Sequence, residues 1–105
     1  MSANIKQQIE QNIEEIDAVV EMFYQQKTQE AYSQLDQVLG KLMTVIEMVA
    51  VYQQEHMDAE IDVTGLTEAL KEALSAMEER DAILMADVLK YEVIEKLEAL
   101  IENLS

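Results

Sequence analysis

Along most of the chain apolar residues recur at intervals of three and four, and no proline interrupts them. A mean interval near 3.6 gathers side chains on one face of an α-helix, whereas a half-buried strand needs strict alternation. With only two glycines in the whole sequence, few positions favour a tight turn. The chain is therefore confined to helices, and what remains is how many there are and which faces meet.

Four segments carry the period. Ile5, Ile9, Ile13, Ile16, Val20 and Phe23 form the first stripe. Leu35, Val38, Leu42, Val45, Val49 and Tyr52 form the second, which Leu39, Met43, Ile46 and Ala50 widen toward a half-cylinder. The third is shorter: Leu66, Leu70, Ala73, Leu74 and Met77. The fourth runs through Ala86, Leu89, Val93, Leu97, Leu100 and Leu104. At about 100° per residue, the first and second stripes point roughly a quarter-turn apart, and the third and fourth about half a turn apart. A straight helix cannot bury both members of either pair, so the chain must break between them. Thr28 and Asp81 stand at the two discontinuities as candidate N-caps. The stretch "QEHMDAEIDVTG" is the one extended connection, with Asp62 or Thr64 expected to cap the third helix. Two short connections and one longer one predict an all-α, up-and-down four-helix bundle, a single domain over 1–105.

Charge narrows the partners. Seven Lys and Arg against 22 Asp and Glu give a formal charge of −15, a field that repels phosphate backbones and anionic lipid. Nucleic acid and membrane are not expected partners; a basic or amphipathic helix is the natural complement. Glu10, Glu14, Asp17 and Glu21 make an acidic stripe at helical spacing on the first helix, and Glu95, Glu98 and Glu102 a ridge on the fourth. A docking surface for a basic segment has this form, and so does a merely solvated face. The absence of cysteine fits a reducing compartment, and "MSANIKQQIEQ" has no basic segment leading into an apolar run. A cytoplasmic location is expected.

The motifs that carry chemistry do not assemble. His56, the single histidine, sits beside Glu55, Asp58, Glu60 and Asp62, a ligand set a metal could use. An EF-hand loop, however, would want Gly where Val63 stands and Glu where Ala69 stands, and a di-iron helix would want Glu where Gln53 stands. Neither a nucleophile elbow nor a glycine-rich phosphate loop is present. No catalytic, cofactor-binding or metal-ligating residue is expected, and no enzyme.

The fourth helix carries more apolar surface than one face requires. Leu84, Val88 and Tyr91 recur on a second line, roughly 150° to 180° around from the first. That side then continues as Glu95, Glu98 and Glu102, so the surplus is local. Two neighbours in the bundle would cover both lines; otherwise the second line is an interface, with an identical chain or with another protein. Asp87 and Lys90, beside this line, are spaced to pair at i,i+3.

The stretch "RDAILMADVLKYEVIEKLEALIENL" resembles the C-terminal pattern D-x-x-L-x-A-D-x-L-x-Y-E, followed by an apolar helix, of small helical proteins from Gram-positive bacteria with no assigned activity. Asp81, Leu84, Ala86, Asp87, Leu89, Tyr91 and Glu92 carry it. In size, charge and bundle pattern the chain is also similar, more loosely, to flagellar export chaperones of the FliS kind. The leading expectation is a non-catalytic, self-associating interaction module. The alternative is an export chaperone or adaptor in which Met43, Ile46 and Ala50 help to hold a partner helix. A metal-binding bundle is the third.

Overall fold

Two chain reversals of the same kind set the layout. In the computed structural model, which describes residues 2–57, 61 and 63–104 (backbone alone for 2 and 3), α1 (Ser2–Tyr24) ends where Gln26 takes a φ of 65°. The Lys27 N–H then donates to the Met22 carbonyl at 2.8 Å and the Gln26 N–H to the Phe23 carbonyl at 3.1 Å. This paired closure satisfies carbonyls that the helix end would leave unmatched. It recurs after α3 (Thr64–Glu78): Arg80 has φ 59°, the Asp81 N–H donates to Ala76 at 2.9 Å, and the Arg80 N–H to Met77 at 3.0 Å. Glycine normally fills the left-handed position. Here Gln26 and Arg80 do, so no residue type announces either turn.

Asp81 caps the helix that follows, its carboxylate accepting the Leu84 N–H at 3.1 Å. Thr28 does not repeat this. The paired closure at Gln26 places Lys27 at the cap position with no side-chain bond, and Thr28 is already the first residue of α2 (Thr28–Glu55). The longer connection is pinned where Gln53 Nε2 donates to the carbonyl of the buried Ile61 at 2.7 Å. Thr64 lies inside α3 rather than ahead of it, and the Val63 carbonyl accepts both the N–H and the hydroxyl of Thr67. Asp62 falls outside the described residues.

The fold is all-α: four helices in an up-and-down bundle measuring 43 × 21 × 18 Å between Cα atoms, with no strand among the described residues. α1 packs against α2 and the last helix, and α3 packs against the last helix. One hydrophobic core joins all four, with Ile9, Ile16, Phe23, Leu35, Leu42, Leu66, Met85, Leu89 and Leu97 fully enclosed. Asn12 is buried within the α1–α2 seam, its Nδ2 donating a long bond of 3.4 Å to the Val38 carbonyl while Oδ1 has no partner.

Two details depart from simple periodicity. On α3 the buried line is Leu66, Ala69, Ala73 and Ala76, with Leu70 and Met77 half-buried and Leu74 exposed. The inward face is rotated by about 60° from the expected stripe. Alanines on this line let the α3 backbone approach the last helix closely, since interaxial distance follows the side chains at the contact. The larger residues then flank the seam.

The last helix, α4, comprises Ala82–Val88, one π turn at Leu89–Val93, and Ile94–Asn103. In the π turn the Ile94 N–H reaches back to the Leu89 carbonyl. Upstream, α4 buries Met85, Ala86, Val88 and Leu89; downstream it buries Val93, Ile94, Leu97, Leu100 and, just past its end, Leu104. On an uninterrupted α-helix those two sets would point about 90° apart, close to the rotation of one residue. A π turn holds one extra residue. Both sets therefore face the same core.

Candidate interaction faces

The second apolar line of α4 is divided by the packing. Val88 is 5% exposed and belongs to the core, whereas Leu84 at 45% and Tyr91 at 60% stay outside. Ile83, 55% exposed, joins them. Upstream of the π turn α4 is held between α1 and α3, and the wide upstream arc takes in Val88. Leu84 and Val88 line one shallow groove against Lys71, Glu72 and Ser75 of α3. What the sequence arrays as one line is thus one core residue and two surface residues, with Ile83 added.

Tyr24 borders this face from the end of α1. Its hydroxyl donates to Asp87 Oδ1 at 2.5 Å, and the Lys90 ammonium lies 5.8 Å from the centroids of both the Tyr24 and Tyr91 rings. The Asp87–Lys90 pair expected from spacing does not form, because the Asp87 carboxylate takes the Tyr24 hydroxyl and Lys90 turns to the two rings. Donation to Asp87, with partial desolvation and the carboxylate's own charge, pushes the Tyr24 phenol up to about 12. The face therefore carries Ile83, Leu84 and Tyr91 around Asp87, at i−4, i−3 and i+4 from it, with the Asp87 carboxylate taken up by Tyr24. On another side of α4, the neighbouring Glu72 carboxyl raises the Glu92 pKa, against the opposing pull of Lys96.

The candidate line on α2 is less open than its composition suggests. Met43 and Ala50 are exposed, but Ile46 is half-buried against the core. An apolar trough does border α2, on the other flank. Ile5 at the start of α1 and Met48, Val51 and Tyr52 of α2 line a cavity of about 340 Å³, with Glu47 and Glu55 at its margin. Met43, Ile46 and Ala50 lie roughly 140° to 160° around α2 from Met48. The heptad places Tyr52 toward the core, against which it is half-buried; Met48, Val51 and Tyr52 at i, i+3 and i+4 are the signal for the trough.

The acidic stripe of Glu10, Glu14, Asp17 and Glu21 and the ridge of Glu95, Glu98 and Glu102 are exposed along their whole length. His56 closes α2 with its ring stacked on Tyr52, centroids 4.1 Å apart, and its Nδ1 3.1 Å from the Tyr52 carbonyl. Among the described residues no three histidine or carboxylate side chains converge on one point; Asp58, Glu60 and Asp62 lie outside them. No helix of the described residues is long and apolar enough to cross a membrane.

No curated protein and no solved structure matches the chain. A family model does, described as a domain of unknown function (DUF8042) and matched over residues 1–103, so the chain belongs to that family.

Proposed function

We propose that the protein is a non-catalytic, cytoplasmic interaction module whose contact surface is the upstream half of α4, and that this surface pairs two copies of the chain. The observation that carries the reading is the exposure of Ile83, Leu84 and Tyr91 on a helix whose core-facing positions are already filled. Apolar groups exposed together on one face favour association. Local charge permits it. Although the chain as a whole carries −15, Lys71 lies in the groove with Leu84 and Lys90 lies against Tyr91, so two such faces meet with both signs present.

Light scattering on a sizing column, over a tenfold concentration range, tests the reading. A dimer is expected for the native chain and a monomer for Leu84→Glu, with unchanged helix content because the side chain is outside the core. A native chain that is monomeric throughout, or a Leu84→Glu dimer of unchanged stability, overturns it.

A second reading, an export chaperone or adaptor holding a partner helix, is favoured by the apolar margins of α2. It predicts that the chain purifies from its own cell with one specific client.

A further inference from the structure

We infer that the trough between the start of α1 and the last three turns of α2 is a docking site for a cationic amphipathic helix of a partner protein. It stands apart from the α4 face and is carried by different residues. Ile5, Met48, Val51 and Tyr52 make its floor and walls. Val51 is 51% exposed at its centre, at a place where an α-helix in water would ordinarily present a polar residue.

The α2 residues along the trough run from Thr44 to Glu55 at intervals of three and four, about 16 Å of helix. That geometry suits a helix of about three turns laid alongside, its apolar side chains entering at i, i+3 and i+7. It suits a small molecule less well, because few polar groups converge there to fix one. The charge of the occupant follows from the margin. Glu47 and Glu55 are exposed, and the chain around them is strongly acidic. A segment with Lys or Arg flanking its apolar face would meet both carboxylates, whereas a second copy of this chain would bring like charge to like. The trough and the acidic field together select an apolar, basic helix.

Fluorescence anisotropy with a labelled Leu/Lys amphipathic peptide of about four turns tests this, using the full chain. A Leu/Glu peptide of the same pattern and a Leu/Lys peptide with scrambled order serve as comparisons. The ordered Leu/Lys peptide should bind best and gain helix on binding. Val51→Gln, which leaves charge unchanged and alters an exposed position, should weaken it about tenfold. The double variant Glu47→Gln/Glu55→Gln should weaken it and reduce its dependence on salt. Leu84→Glu should leave it unchanged, which separates this site from the α4 face. Equal binding of the scrambled peptide, or affinity unaltered by Val51→Gln, overturns the proposal, since attraction would then be to net charge alone.

Discussion

The α1–α2 pair and the α3–α4 pair bury apolar surface by different means. In the first, large branched side chains such as Ile9, Ile16, Leu35 and Leu42 lie inside, while an acidic stripe runs along the exposed face of α1. In the second, Ala69, Ala73, Ala76 and Ala86 are buried alongside Leu66, Met85, Leu89 and Leu97, and Leu74, Ile83, Leu84 and Tyr91 are left exposed. Burial follows which side chains let two backbones approach, as well as how many apolar residues a helix contains. A small-residue seam brings α3 and α4 together and leaves larger groups facing outward. The surplus that marks α4 in the sequence is the counterpart of that seam.

The sharpest way to break the comparison is to exchange the two designs. Leu42→Ala should create a cavity in the large-residue seam and lower unfolding free energy by about 2–5 kcal/mol. Ala73→Leu should overpack the small-residue seam and cost about 1–3 kcal/mol. Urea denaturation measures both. An Ala73→Leu chain of native stability would show that the α3–α4 approach is not set by its alanines.

A smaller effect of opposite sign is expected at Asn12. Its Oδ1 is buried without a partner, and such a group costs about 1–3 kcal/mol. A pocket of about 100 Å³ beside it gives a larger side chain room. Asn12→Leu should therefore raise the urea midpoint, by about 1 kcal/mol in stability. No gain would mean that the amide contributes more through Val38 than its 3.4 Å bond suggests.

The smallest effect joins the two pairs. The Tyr24 phenol should ionise near pH 12 rather than 10 when followed by ultraviolet absorbance, and Asp87→Asn should bring it back toward 10. Because the folded-state value is the higher one, the Tyr24–Asp87 contribution to stability is complete below pH 10 and disappears as pH rises through 12. A Tyr24 phenol unmoved by Asp87→Asn would remove Asp87 as the cause.

How much of this the sequence discloses depends on how distinct each face is. On α1 and α2 apolar and charged residues separate cleanly, and the buried sets follow the expected stripes closely, with Asn12, Val19 and Ala31 also buried and Ile13 and Tyr52 only half-buried. The break at 79–81 is legible because two stripes disagree and Asp81 supplies a cap. The inward face of α3 is not, because Leu70, Leu74 and Met77 outweigh alanines in any hydrophobicity count although the alanines make the seam. The π turn is hidden for a related reason. Residues 82–89 are apolar at every position but Asp87, so the upstream half of α4 defines no single direction against which a 90° offset could be noticed. The α1–α2 trough is not legible in the sequence because it joins Ile5 to residues more than forty positions away, a juxtaposition that periodicity within one helix cannot express.

The single additional residue in α4 works as a phase shift within an otherwise continuous rod. It uncouples the outward sides of the two halves, so that the first can display Ile83, Leu84 and Tyr91 while the second displays Glu95, Glu98 and Glu102, with both still seated on one core. A helix of uniform pitch would have to compromise, burying one half well and twisting the other partly into water. Winding the same residues at uniform α pitch would turn the downstream apolar set about 90° away from the core, whereas deleting one residue from the turn would restore an ordinary α-helix with both halves still in phase. The seating of both halves of α4 on one core thus depends on that local change of pitch as much as on the identity of any side chain.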